Sequence, residues 1–304
     1  MREASPKVNL QVRDRDLKYY IFDWDDNILH MPTRIHVEKK MPDGTWAPHT
    51  VSTAIFSMIR DDTANYRPPN GKWADAFVEF QDYASETENS FLRDARRAIE
   101  RVISGQEKPA PSFGTFRKTL VEGRLFAIVT ARGHASQTLE KGVRLFIDLV
   151  LTPDEREEML ANLRGYRACF DGTAIFGSDE DERNHYLQLN HYHAVTSPGF
   201  KKRLAREAPG AEAPEAAKQF AIRAFVEHIT QVLAHTRQDA PRRASISVGF
   251  SDDDPGNLAA AERFIRSELA QHFPGVKFCV YDTSDSTVEK GRKKIVSGQM
   301  ELGL

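Results

Sequence analysis

Leu17-Lys18-Tyr19-Tyr20-Ile21-Phe22 runs without a break into Asp23-Trp24-Asp25-Asp26-Asn27, and this stretch decides the fold. Aromatic and β-branched residues read as a buried strand, and the abrupt change to acid marks its carboxyl end. Asp23 and Asp25 stand at i and i+2, so strand geometry carried through them projects both carboxylates to one side. Neighbouring negative charges in one cavity are costly unless a cation offsets them.

The pattern recurs along the chain. Leu125-Phe126-Ala127-Ile128-Val129 reads as a second buried strand, ending at Thr130-Ala131-Arg132-Gly133-His134. Tyr192-His193-Ala194-Val195-Thr196 is a third, and Ala244 to Phe250 a fourth, which stops at Ser251-Asp252-Asp253-Asp254-Pro255-Gly256-Asn257. Val276 to Tyr281 is a fifth. Between them, apolar residues at helical spacing predict helices over Asn89 to Ile103, Ser136 to Leu149, Pro153 to Leu163, Glu215 to Leu233 and Pro255 to His272. Strands alternating with helices imply an α/β fold whose mainly parallel sheet is flanked by helices, and such sheets collect ligands beyond the carboxyl ends of their strands. The polar clusters occupy that edge.

The interval between Asp25 and Thr130 is about 105 residues, far more than one crossover helix needs. Thr33 to Lys40, Pro42-Asp43-Gly44 and Trp46 read as a hairpin, and Val51 to Ile59 as a short helix with Ser52 or Thr53 as its cap. Residues 33–104 are therefore expected to form an insertion over the site, with residues 1–32 and 105–304 as the core. The acidic run from Ser178 to Arg183 reads as a hydrated loop, and Glu207 to Pro214 as a linker.

Composition narrows the function classes. The chain has 304 residues, 40% hydrophobic and 28% charged, as expected of a folded globular protein. Its 42 Lys and Arg nearly balance 44 Asp and Glu, which disfavours bulk nucleic-acid binding. Cys169 and Cys279 are the only cysteines, too few for a disulfide framework, and they read as core thiols in a reducing compartment. The sequence shows no long apolar run of the kind that secretory signals or membrane spans require, so a cytoplasmic location without membrane association is expected.

Hard oxygen ligands from the two acidic clusters would suit magnesium. With that ion, one carboxylate can attack phosphorus while another protonates the leaving oxygen. Phe22-Asp23-Trp24-Asp25-Asp26-Asn27-Ile28-Leu29 resembles the first motif of the haloacid dehalogenase (HAD) superfamily. Ile128-Val129-Thr130 resembles its second motif and Val248-Gly249-Phe250-Ser251-Asp252-Asp253 its fourth, in the family's order from about Leu17 to Tyr281.

The resemblance implies a Rossmann-like core with a cap or flap after the first strand. Asp23 would be the nucleophile forming an aspartyl-phosphate, and Asp25 the acid and then the base. Thr130 would bind the phosphoryl oxygens, together with a third-motif lysine for which Lys218 is preferred over Lys201 and Lys202 by its place before the fourth strand. Magnesium would contact Asp23, the Asp25 main-chain carbonyl and Asp252, with Asp253 or Asn257 completing or orienting the shell. An acid two residues after the nucleophile marks the phosphatase-like members. The expected substrate is a small phosphorylated metabolite. The alternatives are a nucleic-acid end, a phosphoprotein, or a non-catalytic phosphate-binding protein on the same fold. Asp26 and Asn27 depart from the glycine and threonine commonest there, as Ser251-Asp252-Asp253 does from the usual Gly-Asp.

Other polar residues carry weaker expectations. Arg132 and His134 follow Thr130 and are candidates for substrate contact, as are Arg34, His36, Lys39 and Lys40 on the hairpin. His185, His191 and His193 lack a compact ligand signature and read as structural. Trp24 reads as a packing residue, as do Trp46 and Trp73.

Overall fold

The computed structural model describes residues 16–82, 89–173, 175–210, 213–234 and 246–297. Its strands are β1 (Leu17–Phe22), β2 (Ile35–Lys40), β3 (Trp46–Val51), β4 (Tyr66–Arg67), β5 (Phe126–Thr130), β6 (His191–Ala194), β7 (Ile246–Asp252), β8 (Val276–Asp282) and β9 (Arg292–Ser297). The principal helices are α1 (Thr53–Ile59), α2 (Trp73–Ala76), α3 (Ser90–Ile103), α4 (Phe113–Val121), α5 (Ser136–Val150), α6 (Pro153–Tyr166), α7 (Asp179–Gln188), α8 (Pro198–Glu207), α9 (Pro214–Ala234) and α10 (Pro255–Phe264). The fourth strand read from the sequence begins at Ala244, and Ala244 and Ser245 lie outside the described residues, as do Ala211 and Glu212 of the linker.

Six strands form one sheet in the order β6-β5-β1-β7-β8-β9, parallel except for β9, which runs antiparallel to β8. Both faces of its centre are buried, which is why β1 and β5 read as nearly continuous apolar runs. Alternate residues divide between two cores. Phe22, Phe126 and Ile128 pack with α3 to α7, while Tyr19, Ile21, Ala127 and Val129 pack with α8, α9 and α10.

From β1 the chain moves outward to β5 and β6, then returns across the sheet to β7 on the other side of β1. Loops leaving β1 and β7 therefore diverge, and a crevice opens beyond their carboxyl ends. Such a switch point is where open α/β sheets receive ligands.

A second, three-stranded antiparallel sheet, β3-β2-β4, lies between β1 and α3 in the chain. Ile35, Val37, Val51, Ala76 and Phe80 give it an apolar cluster of its own. The hairpin turns at Gly44, whose φ of +84° is the left-handed conformation that glycine adopts without strain. Helix α3 follows the small sheet but packs in the main core, burying Phe91, Ala95, Ala98 and Ile99. The small sheet's own apolar cluster thus ends near Phe80.

The acidic run after Ser178 is the first turn of α7, not a hydrated loop. Ser178 and Asp181 form a capping box, and four acids lie at the positive end of the helix dipole. Among the described residues no helix is long and apolar enough to cross a membrane.

Candidate active site

The first acidic loop is shaped by one side chain driven into the core. Trp24 is fully buried against Phe91 and Phe116, so Asp23 and Asp25 on either side of it face the cleft. Backbone bonds from Ile28 N and Leu29 N to the Trp24 carbonyl close the turn, and Asp26 takes the left-handed conformation at φ +53°. Asp23 N donates to the Ser251 carbonyl at 3.0 Å, which extends the β1–β7 ladder to the nucleophile position predicted from the sequence.

Asn27, buried completely, clasps this loop. Its Nδ2 donates to the Asp23 carbonyl at 2.9 Å and to Ser251 Oγ at 3.0 Å. Its Oδ1 accepts from Ser112 Oγ at 2.7 Å and Thr283 Oγ1 at 2.9 Å. One amide thereby ties the ends of β1, β7 and β8 to the start of α4, with its donors and its acceptor all in use. The sequence showed only an asparagine in a turn, so this positioning role was missed.

Lys218, on α9, reaches the switch point from the opposite face of the sheet. Its Nζ lies 3.2 Å from Asp23 Oδ1 and 2.7 Å from Asp252 Oδ2, and all three side chains are buried. Burial works to lower the lysine pKa, but the Asp23 and Asp252 carboxylates overcome it and hold the ammonium firmly protonated. Lys201 and Lys202 stand on α8 with exposed side chains.

Asp252 is fixed by two further donors on Oδ1, Asp254 N at 3.0 Å and Asn257 Nδ2 at 3.1 Å. Asn257 thus orients an acid, while Asp254 caps α10 by accepting from Gly256 N and Asn257 N. Asp253 lines the cleft beside them. Burial raises the Asp253 pKa, and the charges of Asp23, Asp252 and Asp26 raise it further. Asp23 is also raised, by burial first, with Lys218 opposing and Asp252 and Asp25 adding to the rise.

Asp25 meets Arg132 in a two-pronged pair, Nε to Oδ2 at 2.8 Å and Nη2 to Oδ1 at 2.6 Å. Arg132 is only 1% exposed, its guanidinium 4.6 Å from the centre of the Phe80 ring and 5.2 Å from that of Phe91. Thr33 accepts a further bond from Nη2 and passes it on to Asp94. Gly133 follows because Gln81, Thr196 and the Phe80 carbonyl crowd the place a Cβ would take. Thr130, at the end of β5, lines the same cleft.

The remaining candidates lie elsewhere. His134 is buried against Phe91, and burial, then the Arg132 charge, lowers its pKa. His36 pairs with Glu79, and Lys39 lies over the Tyr66 ring. His191 and His193 contact each other on β6, with His228 stacked on His191. Trp73 is exposed rather than core.

Among the described residues no three His, Cys, Asp or Glu side chains are grouped closely enough to cage an ion. The donor set still suits a hard divalent cation. Asp23, Asp25, Asp252, Asp253 and Asp254 share the cleft with three cations, Lys218, Arg132 and Arg60, which leaves an acidic excess of carboxylate oxygens. Comparison with known proteins returns no matching family model, no matching curated protein and no matching solved structure.

Proposed function

We propose that this chain is a magnesium-dependent phosphomonoesterase of the HAD type, working through an aspartyl-phosphate on Asp23. The observation that carries the reading is the Lys218 ammonium bridging Asp23 and Asp252 at the switch point of the sheet. The three residues come from the position after β1, from α9 and from β7, in the order the motif resemblance requires.

In the first step an Asp23 carboxylate oxygen bonds to phosphorus as the ester P–O bond breaks, and Asp25, which must free one oxygen from Arg132 and carry a proton for this step, gives that proton to the departing alkoxide. In the second, Asp25 takes a proton from water as the water oxygen bonds to phosphorus and Asp23 is released. The sum is ester plus water to alcohol plus phosphate. Lys218 and the Thr130 hydroxyl offset charge on the phosphoryl oxygens. Asp23, the Asp25 carbonyl, Asp252 and Asp253 are the groups that would hold a magnesium ion, which would supply Lewis-acid stabilisation of those same oxygens. Ile35, Phe56, Phe77 and Phe80 of the small sheet's module line the cleft, which supports a cap role for that module.

The test is hydrolysis of a generic aryl phosphate by the purified chain in magnesium. Activity lost in EDTA and in Asp23→Asn is the expected result. Equal rates for the wild type and Asp23→Asn would remove the nucleophile.

A further inference from the structure

The cleft has two chemically opposite walls. Its floor is the acidic site, and its roof is apolar, made by Ile35 of β2, Phe56 of α1, and Phe77 and Phe80 beyond α2. The Phe56 and Phe77 rings meet edge to face at 5.3 Å, and Phe77 meets Phe80 in the same way at 5.8 Å. Between the walls lies a cleft of about 620 Å³, within the range that encloses a small organic ligand.

The roof's hydroxyl protons are already committed, and its cation faces an acid. The Thr53 hydroxyl donates to Asp26, the Ser57 hydroxyl donates to the Ala54 carbonyl, and Arg60 pairs with Asp254 across the mouth. A sugar or polyol leaving group would find few free partners there and would lose hydration without replacing it. A flat apolar ring would instead cover the half-buried Phe56 and Phe77 and meet their edges and faces favourably.

We propose that the substrates are phosphate monoesters of aromatic or arylalkyl alcohols, the ring seated against Phe56, Phe77 and Phe80. This rests on the phosphomonoesterase reading for the position of the phosphate. Phe56 is the specificity-determining residue, because it is held by the small sheet's module and contributes no group to the chemistry.

Benzyl and ethyl phosphate test this, since their alcohols have similar acidity and differ mainly in the ring. The wild type should favour benzyl phosphate by about tenfold or more in kcat/KM, and Phe56→Ala should remove most of that ratio, with Phe56→Leu intermediate. Binding gives a second readout that needs no turnover. Trp73 lies 5.6 Å from Phe56 and 6.4 Å from Phe77, so benzylphosphonate should change its fluorescence, a signal absent in Trp73→Phe. Benzylphosphonate should bind about tenfold tighter than ethylphosphonate. Equal affinities, or equal kcat/KM for the two esters, would overturn the aromatic subsite even if hydrolysis is robust. Selective phosphonate binding with no hydrolysis of any ester would uphold the subsite and overturn the phosphomonoesterase reading.

Discussion

Arg132 grips both carboxylate oxygens of Asp25, at 2.8 Å and 2.6 Å, from a position that is itself almost completely buried. A planar fork matched to a carboxylate fixes direction as well as charge, which a lysine ammonium does not. Contacts of the guanidinium with the Phe80 and Phe91 rings link this pair to the small sheet's module and to α3. The orientation of Asp25 therefore depends on how the small sheet seats against the core.

Arg132→Ala should lower stability by about 3–5 kcal/mol, because it strands a buried carboxylate. Arg132→Lys should fold better yet, on the proposed phosphomonoesterase chemistry, lose about a hundredfold in turnover, since a misdirected acid is costly to catalysis. Urea titration and steady-state kinetics measure the two effects. In a double-mutant cycle, adding Asp25→Asn to Arg132→Ala should restore part of the stability, and strict additivity would mean that the pair is not coupled.

Asn27→Ala removes the clasp and leaves the hydroxyls of Ser112, Thr283 and Ser251 without this partner. The expected loss is about 2–4 kcal/mol, the range for several buried hydrogen bonds broken from one side. Asn27→Asp should also destabilise, because a carboxylate cannot donate to the Asp23 carbonyl and adds charge beside Asp23. A urea midpoint unchanged in both variants would show that the loop holds its shape without the amide.

Residues whose role is set by local pattern were legible in the sequence. The β1, β5 and β7 strands announce themselves by apolar runs that stop at polar clusters, and parallel topology alone brings those ends together. Lys218 was selected by chain order, and the fold brings it to Asp23 and Asp252. Asn27 was illegible because its partners Ser112 and Thr283 are 85 and 256 residues away, and an asparagine in a turn is ordinary. In the sequence Arg132 reads as a candidate for substrate contact, and its pairing with Asp25 is not legible there, because the contacts with Phe80 and Phe91 that make it interior come from distant parts of the chain. The edge strand β9 was missed since Arg292, Lys293 and Lys294 are exposed and show no alternation. Such charge is typical of sheet edges, where it discourages pairing with other chains.

Magnesium should raise the thermal unfolding midpoint if the acidic cleft binds it in the folded state alone. Stabilisation grows with the logarithm of ion concentration and reaches about 2.7 kcal/mol at a hundred times the dissociation constant. Asp253→Asn should weaken the response by removing one oxygen ligand while sparing the Lys218 bridge. A midpoint that is the same in magnesium and in EDTA would rule out a functional ion at this cleft.

The histidines of β6 should make the fold acid-sensitive above the carboxylate range. Burial, then His228 and Arg203, pushes His191 down to about 4 from the ordinary 6.5. Burial, then His191 and Arg203, pushes His193 down to about 3. At high pH both rings are neutral in the folded and unfolded chains, so they add no pH dependence. As pH falls through 6.5 the unfolded chain takes up protons that the folded chain refuses, and stability falls until pH passes the folded values. With two such rings the slope approaches about 2.7 kcal/mol per pH unit below the unfolded value. Between pH 7 and 5 the urea midpoint of the wild type should fall relative to that of the His191→Gln, His193→Gln double variant, because the other shifted groups, His134 with the same sign and Asp23 and Asp253 with the opposite one, are common to both proteins. Equal slopes in the two proteins would assign the acid sensitivity to other groups.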